Sequence, residues 1–329
     1  MQPLVRLLTL ALLTCSVAAI YPQLCPNQEK FSSWNQTRCP ADMTCAPNSF
    51  SVTGWGCAPF ANATICSQYQ TCPSDTTCVS MGGTSYSEVF ACMGKNGAPN
   101  TTSLCTCKPG VALPMDSTRK NVVIVGDSLT IGYTPVVAGL LADVALVQHV
   151  PWSADGGAEE TAYGLQCIDL WLASPSGMPI SPDLIYFNFG RHDFTTSCTP
   201  GHGCTPGQSG NTTVYPGELK AIGEKIQAFA SRNMPAKVLF GITSPFMCDA
   251  EIDSVILGTL NAAAVSVMQS LGIPTVDLHK PIIDVCGPPP NSHCMNVSQC
   301  FCPHCPGVGY EYVAKTTVAP AIRNLLMQN

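Results

Sequence analysis

The sequence predicts an α/β fold, a three-layer α/β/α sandwich on a parallel sheet, preceded by a small disulfide-rich module. Three observations carry that expectation. From residue 121 onward, short apolar runs alternate with amphipathic stretches, as they do when strands are joined by crossover helices. The runs are solidly apolar rather than alternating, the pattern of strands covered on both faces. Ahead of them, ten cysteines fall between Cys25 and Cys107 in a stretch without long helical periodicity. Covalent staples, more than a large core, should hold that part together.

Taken in chain order, residues 1–19 read as a secretory signal peptide: Arg6, then the apolar stretch Leu7 to Leu13, then the small residues of Val17-Ala18-Ala19 at a cleavage site. Residues 20–107 form the cysteine-rich module. It contains an echo, since Cys39-Pro40-Ala41-Asp42-Met43-Thr44-Cys45 returns as Cys72-Pro73-Ser74-Asp75-Thr76-Thr77-Cys78, and each copy leads to a further cysteine, Cys57 or Cys92. With Gly54-Trp55-Gly56-Cys57 after it, the phrase resembles a thinned granulin-type repeat, without the paired cysteines of granulins. Short hairpins stapled by disulfides are expected. Zinc is the other use of clustered cysteines, but no histidine is interleaved and a secreted chain meets an oxidising compartment. Lys108 to Lys120, with Pro109, Gly110 and Pro114, reads as a linker.

The domain spanning 121–329 should have strands at 122–126, 145–150, 184–189, 236–243 and 274–278. Helices are expected near 129–142, 159–173, 215–232, 252–271 and 309–327. Leu219, Ile222, Ile226 and Phe229 recur at the three-and-four spacing of an amphipathic helix. This domain holds nine cysteines, an odd number, so one is expected to be free or bonded elsewhere; Cys167, inside an apolar helix, is the candidate buried thiol.

Composition narrows the function classes. Charged residues are 11% of the chain, against ~25% in ordinary soluble domains. The formal charge is −6 with no basic cluster, so nucleic acid is not an expected partner. Val255 to Leu271 is interrupted by Asn261 and Gln269, and stable membrane insertion is not expected. Glycosylation sequons begin at Asn35, Asn62, Asn100, Asn211 and Asn296, which fits secretion.

One serine is placed for chemistry. Val122-Val123-Ile124-Val125 reads as a buried strand, and Gly126-Asp127-Ser128-Leu129-Thr130 turns it into a helix N-terminus. Ligands of open α/β sheets bind beyond the strand carboxyl ends, where free helix N–H groups favour developing negative charge. Three further blocks follow in order. Gly156-Gly157 comes after the second strand, Gly190-Arg191-His192-Asp193 after the third, and His304 precedes Gly309-Tyr310 and a last helix. Over residues 121–329 this series resembles the GDSL, or SGNH, hydrolase family. Two blocks depart from the family pattern: His192 replaces an asparagine, and Phe301 stands three before His304 where the family has an acid.

The resemblance implies Ser128 as nucleophile and His304 as general base. It also implies an oxyanion hole formed by the Ser128 N–H, the Gly156 N–H (Gly157 being the other choice) and the His192 side chain. An imidazole bearing one N–H can donate as an amide does. Two ways of supporting His304 stay open, a dyad in a disulfide-fixed loop with a backbone carbonyl behind the ring or Asp284 folded back as the acid; the competing reading of Cys300-Phe301-Cys302-Pro303-His304-Cys305 is a metal site. His279, two residues after Asp277, is the rival base. Asp127 and Asp193 should brace loops. Trp152, Phe194 and Tyr310 would offer aromatic surface to a sugar face or an acyl chain. The expected function is a secreted serine esterase acting on carboxylic esters of glycans, acetyl esters among them, or of lipids, without a cofactor. The alternative is a non-catalytic glycan-binding or signalling protein on the same fold. Oligomeric state is not legible.

Overall fold

The computed structural model describes residues 21–328, apart from 31, 34–35, 50, 68–69, 82–89, 98, 103, 153–155, 195–211, 233–235, 292, 299 and 303. The signal-peptide reading and the sequons at Asn35 and Asn211 lie outside the described residues.

Disulfides organise the first part, as its cysteine spacing predicts. The two copies of the echo are stapled in the same interleaved order: Cys25–Cys45 with Cys39–Cys57, and Cys66–Cys78 with Cys72–Cys92. Each copy carries an antiparallel hairpin, Thr44–Pro47 with Trp55–Ala58 and Thr76–Ser80 with Phe90–Gly94. The sulfur clusters Cys25/Cys39/Cys45 and Cys66/Cys72/Cys78, close enough together to suggest a metal, are consumed by these bonds.

The segment after the module does not hang as a linker. Cys107 exchanges backbone hydrogen bonds with Cys57 at 3.0 Å, and its sulfur bonds Cys167. Cys167 is therefore half of a disulfide between the two parts and not a buried thiol. Further on, Val111 N–H donates to the Trp152 carbonyl, and Leu113 exchanges hydrogen bonds with the Gln148 side chain at 2.8 and 3.0 Å. These peptide groups find their partners in the domain that follows.

That domain is a five-stranded parallel sheet with helices on both faces. Its strands are β1 (Lys120–Val125), β2 (Ala145–Val150), β3 (Leu184–Phe187), β4 (Lys237–Ile242) and β5 (Thr275–Asp277), in the order β2-β1-β3-β4-β5. Burial on both faces explains the solidly apolar β1 and β3: Val122 to Val125 and Leu184 to Phe187 are all at most 1% exposed. The helices are α1 (Ser128–Leu140), α2 (Thr161–Trp171), α3 (Tyr215–Arg232), α4 (Ala250–Leu271, with a π-helical segment Ile256–Asn261), α5 (Lys280–Cys286) and α6 (308–327, with a π-helical segment Ala314–Val318). Helix α5 is absent from the sequence reading. Its Lys-Pro start places proline in the first turn, where no N–H is missed.

Length and apolar composition would let α4 cross a membrane. Here Ile256, Leu260, Ala264 and Met268 are buried in the core, and Asn261 bonds both the N–H and the carbonyl of Thr243. The chain leaves β1 for β2 on one side, then crosses back to β3 on the other. The carboxyl end of β1 is thus the sheet's switch point, and Ser128 is three residues beyond it.

Candidate active site

Asp127 builds the turn that presents Ser128. Its backbone is extended and its Oδ1 accepts from the N–H groups of Leu129 and Thr130 at 2.9 and 3.4 Å, capping α1. Ser128, half-buried, is the first residue of that helix, so its own N–H has no intrahelical acceptor.

His304 arrives from the other end of the chain. Its Nε2 lies 2.8 Å from the Ser128 Oγ. The loop that carries it is tightly held: Cys300 bonds Cys305, Cys302 bonds Cys248, and Phe301 N–H donates to the His304 carbonyl. The Gly-Tyr pair that follows has a physical meaning. A Cβ on Gly309 would fall 2.3 Å from Cys305 Sγ, so only glycine leaves room for that disulfide. Tyr310, one residue on, lies across Gly132, one helical turn after Ser128.

Phe301 occupies the position of the missing acid. Its side chain is buried in the core beneath α1 and α6, and its backbone has φ 57°. Among the described residues no carboxylate hydrogen-bonds to His304. Asp284 does not supply one. It lies on the exposed face of α5, both oxygens 2.7 Å from Lys280 Nζ, an i,i+4 pair. The dense Cys-His run is not a thiolate site either, because Cys300, Cys302 and Cys305 are all in disulfides.

The other two blocks converge on the same turn. Gly157 packs on the Gly126–Asp127 backbone so closely that a Cβ would meet the Gly126 carbonyl at 2.3 Å, and Ala158 N–H donates to that carbonyl at 2.7 Å. Gly156 and Gly157 have φ 75° and 71°, which favours glycine at both. Ser153 to Asp155 of the same block lie outside the described residues. His192, one-third exposed, has its Nε2 3.9 Å from Asp127 Oδ2, which places the ring beside the serine turn. That Asp127 oxygen is buried and has no hydrogen-bond partner among the described residues.

Asp193 braces the second block from the third. Its Oδ1 accepts from both the N–H and the hydroxyl of Thr161, at 3.1 and 2.6 Å. The Thr161 hydroxyl also lies 2.8 Å from Glu218 Oε2. A hydroxyl has one hydrogen, so both contacts bond only when one carboxyl is protonated. Burial, the largest influence, pushes the Asp193 carboxyl up to about 7.

Arg191 is a residue that sequence reasoning passed over. It is buried, and its guanidinium donates to the carbonyls of Ser244 (3.3 Å), Pro245 (2.7 Å) and Phe301 (3.0 Å). It therefore ties the loop of His192 to the loop of His304. Its place inside the third block was the only available signal.

The rival base and the other side chains near these blocks are placed differently. His279 is buried with Nε2 3.2 and 3.3 Å from the two oxygens of Asp253, while Asp277 caps α5 through the His279 and Lys280 N–H groups. His149 bonds Thr130 Oγ1 through Nε2 at 2.6 Å, and burial first of all drives its pKa down to about 4. His293 is exposed. Trp152 is no sugar platform: it is buried, its indole N–H bonded to the Ala173 carbonyl. Asn188 spends its amide on the Gly241 carbonyl at 2.6 Å.

No protein-family model and no curated protein matches the chain. Solved structures with a similar backbone include a lipase/acylhydrolase from Enterococcus faecalis, 18% identical, covering 63% of this chain and 95% of its own, with a TM-score of 0.44. A GDSL-like lipase from Bacteroides thetaiotaomicron is 16% identical over 65% of this chain and 91% of its own, with a TM-score of 0.44. A carbohydrate acetylesterase from Sinorhizobium meliloti is 15% identical over 63% of this chain and 100% of its own, with a TM-score of 0.42. These are likenesses of backbone course, and the chemistry open to the site follows from its own atoms. In the order of its four sequence blocks the segment 121–329 resembles the GDSL/SGNH hydrolases, and the structure brings together Ser128 of the first block and His304 of the last.

Proposed function

We propose that this protein is a secreted serine esterase that hydrolyses carboxylic esters through a Ser128–His304 dyad. The 2.8 Å contact between Ser128 Oγ and His304 Nε2 carries the reading. A serine hydroxyl is a weak nucleophile until a base within hydrogen-bond reach takes its proton. In the proposed cycle His304 accepts that proton as Ser128 attacks the ester carbonyl, then returns it to the departing alcohol. Water repeats the exchange to release the acid. The oxyanion is received by the N–H groups of Ser128 and Gly156 and by the His192 imidazole. With no carboxylate among the described residues bonded to the ring, the disulfides Cys300–Cys305 and Cys302–Cys248 take over the task of orientation, and the imidazolium gains less stabilisation than in a triad.

Eight disulfides among the described residues support an oxidising, extracellular setting. Ser128 is half-buried and His304 exposed, so the pair is within reach of an ester from solvent. An acetyl group on a glycan is the substrate class we favour. The test is turnover of chromogenic acetate and longer-chain esters by the wild type and by Ser128→Ala. The reading expects serine-dependent turnover, fastest with acetate. Turnover that survives Ser128→Ala, or none from mildly acidic to mildly basic pH, would leave the fold in a binding role.

A further inference from the structure

We propose that Lys108, the residue that follows the cysteine-rich module, is a positioning residue for the oxyanion loop, acting through a buried ion pair with Glu159; the proposal rests on the esterase reading. Lys108 Nζ lies 2.6 Å from Glu159 Oε1, and the two side chains are 1% and 0% exposed. This pair forms the floor under Gly156. A Cβ on Gly156 would fall 2.6 Å from Glu159 Oε1 and 3.1 Å from Lys108 Nζ.

Beyond Gly156 the loop is pinned by the hydrolase-like domain itself. Gly157 and Ala158 rest on Gly126, and Thr161 is held by Asp193. Glu159 stands between these points with a left-handed backbone, φ 54°, that a side chain rarely adopts unaided. Lys108 binds the side chain of that residue.

Lys108 is in turn placed from several directions. Its N–H donates to Tyr163 Oη and its carbonyl accepts from Trp171 Nε1, both at 3.0 Å. Its ammonium lies 5.4 Å from the Tyr163 ring centre. The residue before it is bonded to Cys167 and laddered to Cys57. A mechanical line therefore runs from the first hairpin through Cys107 and Lys108 to Glu159 and Gly156. A fully buried ion pair is a poor source of stability, because desolvation consumes most of the attraction, but it fixes geometry well. Oxyanion donors need that fixity before the reaction starts.

The experiment uses the full chain. Lys108→Met alone strands a buried carboxylate and endangers folding, so the informative variant is K108M/E159M, which keeps the volume and removes both charges. Glu159→Gln, which keeps the shape and the acceptor but leaves the buried ammonium without a counter-charge, is its partner and is scored only once its fold is confirmed by circular dichroism. With acetate ester as probe, well below the unfolding temperature, K108M/E159M should lose about 10–100-fold in kcat with KM within about threefold, the pattern of a displaced donor. Glu159→Gln should lose less, about 3–10-fold. Folded variants with wild-type kcat and only a lowered Tm would overturn the proposal and reduce the pair to a structural tie. Wild-type turnover that is absent, or indifferent to Ser128→Ala, would reject the esterase reading and this proposal with it.

Discussion

Tyr310 lies across Gly132 so closely that a methyl group on that glycine would fall 2.2 Å from the ring Cε2. Gly132 is four residues after Ser128 and Tyr310 is six after His304. The contact packs the start of α6, which follows the His304 loop, against the nucleophile's helix.

Gly132→Ala should therefore misplace His304. The ring must shift, at a cost of about 1–3 kcal/mol in stability, and turnover should fall by about tenfold or more. Gly139→Ala in the same helix meets nothing within 4 Å. It should stabilise by about 0.5–1 kcal/mol with activity intact. Ester kinetics and denaturant titration of the two variants check both halves.

His192 should tolerate the amide it replaces. His192→Asn keeps a donor and should retain substantial activity, whereas His192→Ala should lose about 2–4 kcal/mol of transition-state stabilisation, read from kcat/KM. Equal losses from the two would remove His192 from the oxyanion hole.

Asp193 should give stability a pH slope of known sign. Burial raises its carboxyl from an ordinary value near 3.8 to about 7. Below pH 4 both folded and unfolded chains hold the proton and nothing is lost. As pH rises toward 7 the unfolded chain releases it first, so this group's contribution declines by as much as about 4 kcal/mol and then levels off. Denaturant unfolding at several pH values should show a shallower decline over that window for Asp193→Asn than for the wild type. Identical slopes would contradict the assignment.

Asp284→Asn should leave turnover unchanged. The carboxylate is paired with Lys280 on an exposed helix face, and surface pairs of this kind contribute about 0–1 kcal/mol. A large loss of kcat would instead place this acid in the reaction.

The sheet was legible because its strands are buried on both faces, so Val122 to Val125 and Leu184 to Phe187 stand out as apolar runs without any tertiary knowledge. Ser128 was legible for a local reason, since strand end, glycine turn and helix cap are adjacent in sequence. What escaped were partners chosen in three dimensions. Cys167 looked like a core thiol because its helix is apolar, and nothing nearby announces Cys107. Lys108 looked like linker because prolines and a glycine surround it, although its charge is buried against Glu159. His279 drew its carboxylate from Asp253 and not from the adjacent Asp277. Phe301 disclosed that the usual acid is missing, but only the folded loop shows disulfides and Arg191 holding the histidine instead.

The most direct test of the central claim is to treat the intact protein with a fluorophosphonate and map the adduct by peptide mass analysis. We expect a single modification on Ser128, nearly abolished in His304→Ala and accompanied by loss of ester turnover. An unmodified Ser128, or labelling of equal rate without His304, would contradict the proposal that these two side chains act together.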